Sequence, residues 1–376
     1  MTRTAKLLSE LIALPSVNPA FLPERHPHAG EGRVAEFLAT VGASAGLDIE
    51  FKKVFHSRPN LLARLTPTGK PCQRILLAPH LDTVNLADAG QLIPRRKDDR
   101  LFGRGACDTK GSVAAMFDAL CELARSKNRP RETEIIFVGL VDEEHGQGGS
   151  RALAASSLKA DLAIVGEPTK LVVATAHKGS VWLDVETRGK SAHGATPQFG
   201  KNAVHEMARA VEAIETDYAR DLRRKKHALL GHGTVSVGTI RGGTQTNIVP
   251  DRCVIGVDRR TLPGETEAGT RRSLESFLRA RKISANVSNV KLKPCPPLET
   301  SASLPLVKQF LRSTGQRRAE GVTYFCDAAI IAAGGSPSVV FGPGDIAQAH
   351  TADEWISLKQ VDRAKDMLLH FLKLLP

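Results

Sequence analysis

Ile135-Ile136-Phe137-Val138-Gly139-Leu140-Val141-Asp142-Glu143-Glu144-His145-Gly146 is the stretch on which the reading of this chain turns. It opens on an apolar run rich in β-branched and aromatic residues and passes directly into three consecutive acids, a histidine and a glycine. A short apolar run without alternation reads as a strand buried on both faces, the habit of sheets covered by helices. Three adjacent carboxylates repel one another unless solvent or cations offset the charge. The segment is therefore either a solvated loop or a cation site, in which one acid can hold a metal while its neighbour moves a proton.

The same arrangement recurs outward along the chain. Ile75-Leu76-Leu77-Ala78 leads into Pro79-His80-Leu81-Asp82-Thr83-Val84, and Leu162-Ala163-Ile164-Val165 into Gly166-Glu167-Pro168-Thr169. Val339-Val340-Phe341 leads into a glycine-rich loop, Gly342 to Glu354, that carries His350. Helical patterns lie between these runs, beginning with Leu7, Leu8, Leu11 and Ile12. The alternation implies an α/β sheet with helices on both faces, and in such sheets sites form at the carboxyl ends of the strands. A further cluster, Gly103-Arg104-Gly105-Ala106-Cys107-Asp108-Thr109-Lys110-Gly111, has no strand run before it and precedes a helix face of Val113, Met116, Phe117, Leu120 and Leu123. Asp108 is then either a helix cap or a ligand, and a cap alone does not need three glycines around it. His80 and Asp82 can serve as ligand and orienting carboxylate or be an ordinary loop pair. Taken together, His80, Asp108, Glu144, Glu167 and His350 form an oxygen- and nitrogen-rich set without thiolate, suited to zinc, cobalt or manganese.

Residues 179–294 follow a different order: strand, helix, strand, strand, helix, strand. Val181 to Val185 alternates, a helix runs from Asn202 to about Tyr218, and strands run from Thr234 to Ile240 and Cys253 to Val257. A helix from about Thr266 to Arg281 and a strand from about Ala285 to Leu292 close the pattern of a small α+β, ferredoxin-like sandwich. It reads as a domain inserted between residues 1–178 and 295–376. Lys293-Pro294-Cys295-Pro296-Pro297 is the return linker, since proline disfavours both helix and central strand.

The chain of 376 residues carries a net charge of +12. Its densest basic run, Arg223-Arg224-Lys225-Lys226, comes without a nucleic-acid-binding motif, and aromatic residues are only 5% of the total. A solvated helix end is the better account, and a nucleic-acid-binding protein is the weaker reading. The six cysteines lie far apart with no paired spacing, which argues for buried thiols rather than disulfides or a zinc knuckle. No apolar stretch is long enough to span a bilayer, and Arg3, Lys6 and Glu10 interrupt any leader core, so the expected location is the cytoplasm.

In order along nearly the whole chain, His80-Leu81-Asp82, Gly105 to Gly111, Asp142-Glu143-Glu144, Gly166 to Thr169, Ser191-Ala192-His193 and the His350 loop resemble the co-catalytic zinc hydrolases. That family includes acetylornithine deacetylases, succinyl-diaminopimelate desuccinylases, aminoacylases and glutamate carboxypeptidases. Ala176 to Gly179 and Phe341 to His350 look most like the acetylornithine deacetylase branch, whereas Gly243 to Pro250 departs from it. The resemblance implies a zinc-exopeptidase-like catalytic sheet with a lid and dimerisation domain, two divalent ions (zinc, with cobalt or manganese as substitutes) and an N-acyl amino acid substrate. It implies that Asp108 bridges the ions, with His80 and Glu167 on one and Glu144 and His350 on the other. Glu143 is then the general base, Asp82 the partner of His80, and His193 a lid residue that polarises the scissile carbonyl, often in the partner subunit's site. Asn247, Arg260 and Gly344 are the expected substrate contacts. An exopeptidase with the same metal centre is the nearest alternative.

Overall fold

The computed structural model describes residues 1–291 and 293–376, so Leu292, the last residue of one expected strand, lies outside the described residues. The chain divides into two compact units. Unit 1 comprises residues 1–175, 300–320 and 326–376; unit 2 comprises 176–299 and 321–325.

Unit 1 is built on a mixed sheet. Its centre is parallel: Thr133–Gly139, Gln73–Leu77, Leu162–Val165 and Ser338–Val340 lie side by side. These are the apolar runs read from the sequence. The sheet extends antiparallel through Arg58–Leu65 to Asp48–Phe55 on one side. Ser338–Val340 meets Ala174–His177, the strand by which the chain leaves the unit, on the other. The helices Arg3–Ala13, Gly111–Arg125 and Leu358–Lys373 bury their apolar faces, with Leu8, Leu11, Phe117, Phe137, Phe341 and Phe371 together in the core. Phe117 and Phe137 meet edge to face at 4.9 Å, a geometry worth about 0.5–1.5 kcal/mol beyond the buried area.

The antiparallel pair Asp48–Phe55 and Arg58–Leu65 was not legible beforehand. Its outer strand is largely exposed, and Glu50, Lys52 and Lys53 break the apolar signal. The Asp108 loop also has a strand before it, the short Arg100–Phe102, which belongs to a separate sheet with Arg95–Lys97 and Trp355–Ser357. Three residues leave too little pattern to detect.

Unit 2 carries the four-stranded sheet Thr234–Gly242, Arg252–Thr261, Gly179–Arg188, Ala285–Asn289, in that spatial order. Numbered along the chain this is 2-3-1-4, the ferredoxin-like arrangement expected from the element order. Helices Ala203–Ala213 and Glu267–Ala280 contribute Met207, Ala210, Leu274 and Leu278 to a core with Leu183, Val185, Ile255 and Val257. The basic run Arg223 to Lys226 follows the end of a helix at Leu222, and Lys225 and Lys226 are exposed.

Candidate metal centre

Four loops leave the carboxyl ends of the parallel strands, and each delivers one or two of the residues expected from the sequence. His80 follows Gln73–Leu77, Glu143 and Glu144 follow Thr133–Gly139, Glu167 follows Leu162–Val165, and His350 lies in the loop after Ser338–Val340. Asp108 comes from the loop ahead of helix Gly111–Arg125. It is not that helix's cap: Lys110 holds the position, and no side chain caps the helix. The two oxygens of Asp108 face opposite ways, Oδ1 to His80 Nε2 at 3.1 Å and Oδ2 to His350 Nε2 at 3.3 Å. His350 Nε2 also lies 3.2 Å from Glu144 Oε2, and His80 Nε2 lies 3.9 Å from Glu167 Oε1. Ligand atoms of His80, Asp108 and Glu144 all fall within 4.8 Å of one another.

The electrostatics of this cluster call for cations. Burial, and then the charge on Glu167, push Glu143 well above the usual carboxylate range. Burial likewise raises Glu167, and burial with the neighbouring Asp108 charge lifts Glu144 to about 7. Burial alone would also raise Asp108 and lower His80, but their mutual hydrogen bond, joined by His350 on Asp108 and Asp82 on His80, reverses both. His350 rises to about 10, chiefly through Asp108 and then Glu144. Glu144 Oε1 is buried with no hydrogen-bond partner. Buried acids packed this closely, with one oxygen unpartnered and only imidazoles between them, have the donor chemistry of a divalent-metal site.

A buried polar network positions these groups, and most of it comes from residues that sequence reasoning missed. Asn18 Nδ2 donates to Asp82 Oδ2 at 2.8 Å and to Asp142 Oδ1 at 3.0 Å. Asp82 accepts the backbone amides of Glu143 and Glu144, both at 3.1 Å, while its Oδ1 lies 3.5 Å from His80 Nδ1. Glu31, fully buried, accepts a two-pronged contact from Arg58 at 2.7 Å on each oxygen and the Asp142 amide at 3.1 Å. The turn that aims Glu143 and Glu144 is thus held from beneath at three successive amides. Asp142 has φ 71° and His350 φ 63°, left-handed conformations that non-glycine residues hold only where surroundings over-determine them, typically at functional sites.

Glu354 does the corresponding work for Asp108. Its Oε1 accepts the amides of Cys107 and Asp108 at 2.8 and 3.0 Å, and its Oε2 accepts the Gly105 amide at 2.9 Å and Arg104 Nη1 at 2.8 Å. Gly105 has φ 78°, and a Cβ there would lie 2.8 Å from Thr83 Cγ2, so the loop requires glycine. Thr109 Oγ1 donates to the Gly166 carbonyl at 2.8 Å, tying this loop to the one that carries Glu167. Lys110 is buried against the Leu14 carbonyl, and burial lowers it to about 7. Cys107 is buried and its thiol pushed far up, chiefly by burial and then by Asp108, so it is protonated and inert. Cys72, Cys107, Cys121, Cys253 and Cys326 are free thiols, and of these only Cys72 is exposed.

Asp327 is a further buried carboxyl that the sequence did not flag. It accepts a hydrogen bond from Ser150, and burial raises it to about 7. Its charge acts on both Glu143 and Glu167, which places it in the same electrostatic field. Gly344, at φ 92°, has no room for a Cβ beside Cys107 Sγ. Its amide donates to Gln360 Oε1 at 2.9 Å and its carbonyl accepts from the Lys170 amide at 2.7 Å. Both of its backbone polar groups are therefore engaged within the protein.

The other expected residues are in unit 2. His193 and Asn247 are exposed neighbours: His193 bridges to Ile248, and the Asn247 carbonyl accepts the Gly194 amide at 2.7 Å. The His193 Nδ1 accepts the Ala195 amide at 3.1 Å, which leaves Nε2 as the outward atom. Arg260, on strand Arg252–Thr261, is held by Asp258 Oδ2 through Nε and Nη2 at 3.1 and 3.0 Å.

A histidine–carboxylate cluster at the carboxyl ends of a mixed α/β sheet, with a free acid beside it, defines a metal-dependent hydrolase. The chain belongs to the peptidase family M20/M25/M40, whose model matches residues 76–374. It is 31% identical over 341 residues to an acetylornithine deacetylase from Myxococcus xanthus, covering 86% of this chain and 87% of that protein. It is also 31% identical over 383 residues to one from Edwardsiella ictaluri, covering 97% and 96%. Among solved structures, the aminopeptidase PepT from Bacillus cereus matches with a TM-score of 0.80 at 23% identity, over 99% of this chain and 97% of that one. The metallo-carboxypeptidase Sso-CP2 from Sulfolobus solfataricus matches with a TM-score of 0.76 at 18% identity, over 100% and 99%. No helix among the described residues is long and apolar enough to cross a membrane.

Proposed function

We propose that this hydrolase cleaves the amide bond of an N-acyl-L-amino acid, with N-acetylornithine, giving ornithine and acetate, as the leading substrate. The observation that carries the reaction class is the divided Asp108 carboxylate, one oxygen toward His80 and the other toward His350, with Glu143 beside it. Likeness over nearly full length to proteins named acetylornithine deacetylase supports the substrate and a place in arginine biosynthesis in the cytoplasm.

His80, Asp108, Glu144, Glu167 and His350 would together hold two divalent ions, zinc with cobalt or manganese able to substitute. When bound, such ions lower the pKa of water towards neutrality and polarise a carbonyl. Glu143 takes the proton of the attacking water and delivers it to the leaving amine. Asp82 orients His80 and, through two backbone amides, the Glu143–Glu144 turn. His193 donates to the carbonyl oxygen as negative charge develops there. Arg260 pairs with the α-carboxylate, Asn247 contacts the acyl amino acid, and Gly344 shapes the loop that carries His350. What supports a homodimer through unit 2 is the outer strand Thr234–Gly242, at the sheet edge with Ile240 58% exposed.

The test is kcat/KM on N-acetyl-L-ornithine, N-acetyl-L-citrulline, N-succinyl-diaminopimelate and simple dipeptides, with stripped protein reloaded with zinc or cobalt. Metal-dependent preference for acetylornithine is expected. Turnover of dipeptides alone would move the enzyme to the peptidase branch, and preference for the succinyl substrate would move it to the desuccinylases.

A further inference from the structure

The small sheet of Arg95–Lys97, Arg100–Phe102 and Trp355–Ser357 plays no part in the reaction above, and its register gathers charge on one face. Arg95 pairs with Phe102, Arg96 with Leu101 and Lys97 with Arg100; Trp355 pairs with Phe102 and Ile356 with Leu101. Leu101 and Ile356 are buried, so the alternation of a strand turns Arg95, Lys97, Arg100, Phe102 and Trp355 to the opposite, open face. That face lines a cavity of about 850 Å³ whose other wall includes Gln348 and Thr351, the residues on either side of the His350 loop tip.

Lys97 and Arg100 stand directly opposite each other, which is destabilising for like charges in adjacent strands. Among the described residues, no carboxylate forms an ion pair with Arg95, Arg96, Lys97 or Arg100. Asp98 follows Lys97 directly and its backbone carbonyl accepts from Arg96 Nε at 3.0 Å, while the Asp99 carboxylate receives its bonds from Ser357 Oγ and the Lys359 amide. Asp353 is the one acid on the cavity wall. The two arginines are also held in place, Arg100 over the Trp355 ring at 4.0 Å and Arg95 over Phe102 at 6.0 Å. A guanidinium stacked by its flat face keeps its N–H edge free for an oxyanion. With a guanidinium over each ring, neither is freely offered to a nucleobase, and the recognised chemistry is the oxyanion itself.

We propose that this face is a binding site for a phosphate-class polyanion, held by the edges of Arg95 and Arg100 and the Lys97 ammonium. The site lies outside the metal cluster, in the same unit and beside the loop that carries His350. Free polyphosphate groups and a nucleic-acid backbone offer the same oxyanions, and the covered rings favour the former.

The experiment is titration calorimetry of the metal-loaded enzyme with tripolyphosphate in 150 mM salt. The comparison proteins are the Arg95→Ser/Lys97→Ser/Arg100→Ser triple variant and an Arg95→Lys/Arg100→Lys variant that keeps the charge. Saturable binding is expected, weakened by roughly 100-fold in the triple variant and about tenfold in the lysine variant, because lysine lacks the two-pronged fork. Acetylornithine turnover in the absence of polyanion stays unchanged in both. Wild-type-like binding by the triple variant, or absence of saturable binding, would leave only a charged strand edge that deters aggregation. Equal binding by the lysine variant would mean diffuse attraction and no built site. A ten-nucleotide single strand that outcompetes tripolyphosphate at equal phosphate concentration would overturn the assignment to a free polyanion.

Discussion

The two units handle their candidate site residues in opposite ways. In unit 1, His80, Asp82, Asp108, Glu167, Asn18, Glu31 and Asp327 are all buried, and nearly every one is braced by another element. In unit 2, His193 and Asn247 are exposed and Arg260 is half-buried, above a core whose apolar side chains make no demand on them. Burying charge is costly unless it is paired, so unit 1 ties its chemistry to its fold. Unit 2 carries its candidate residues as separable attachments. Metal and ligand changes should therefore damage unit 1 in both activity and stability, whereas changes at the candidate residues of unit 2 should be felt in activity alone.

The largest effect is expected from removing the metals. Chelation should bring turnover to background and restore it on reloading with zinc or cobalt. Because metal binds the folded state, stripping should also lower stability by about 2.7 kcal/mol at a concentration 100 times Kd, a shift of several degrees in Tm. Hydrogen exchange should localise the loosening to the loops around His80, Glu144, Glu167 and His350; uniform loosening of unit 2 would contradict the division. Glu143→Gln comes next. It should lower kcat by about 100- to 10,000-fold while metal analysis still finds two ions per chain, and a fully active variant would end the general-base assignment.

The legibility of the sequence followed the same division. Candidate ligands that stand just after an apolar strand, His80, Glu144 and Glu167, announce themselves locally, because strand, turn and polar residue are contiguous. The ferredoxin-like order of unit 2 was equally legible, since its strands are long enough to show alternation. Asn18, Glu31, Arg58 and Asp327 had no such signal. Each lies far along the chain from the group it supports, as the 124-residue separation of Asn18 and Asp142 illustrates, and none sits in a run of chemically matching residues. Glu354 was visible as the last acid of the His350 loop, but its service to four donors around Asp108 exists only in three dimensions. Local pattern points to the candidate residues for chemistry; the residues that hold them still come from tertiary pairing.

His193→Asn sharpens the contrast from the other side. Losing a donor to the developing oxyanion should lower kcat/KM by roughly 100-fold. The ring is exposed and its hydrogen bond to the Ala195 amide is local, so Tm should stay within about 1 °C. A loss of stability as large as that of a buried variant would show that unit 2 is not a carrier of separable attachments. Mixed dimers, with Glu143→Gln in one subunit and His193→Asn in the other, also test the partner-site reading. If His193 serves the partner, both lesions fall in one site of the mixed dimer and leave the other wild type, so about half the sites' activity should return.

The smallest effect belongs to the unit 2 half of a matched pair, in which the same substitution is made in both units. Glu31→Gln removes the nearer of the two carboxylates that Arg58 faces in the interior of unit 1, the other being Asp142 at 3.3 Å. Since Arg58 is only 15% exposed and Glu31 1%, breaking the pair should cost about 3–5 kcal/mol. It should also lower kcat, because Glu31 holds the Asp142 amide one residue before the general base. Glu186→Gln makes the same chemical change in unit 2, where Glu186 lies between Arg188 and Arg252 on the open face of the sheet. Those arginines are 71% and 59% exposed, and water takes over whatever the carboxylate gives up. The expected cost is about 0–1 kcal/mol, with kcat unchanged and a further weakening of the effect in high salt. Thermal unfolding of the two variants side by side decides the point: comparable losses would mean that unit 2 depends on its surface charges as unit 1 depends on its interior ones.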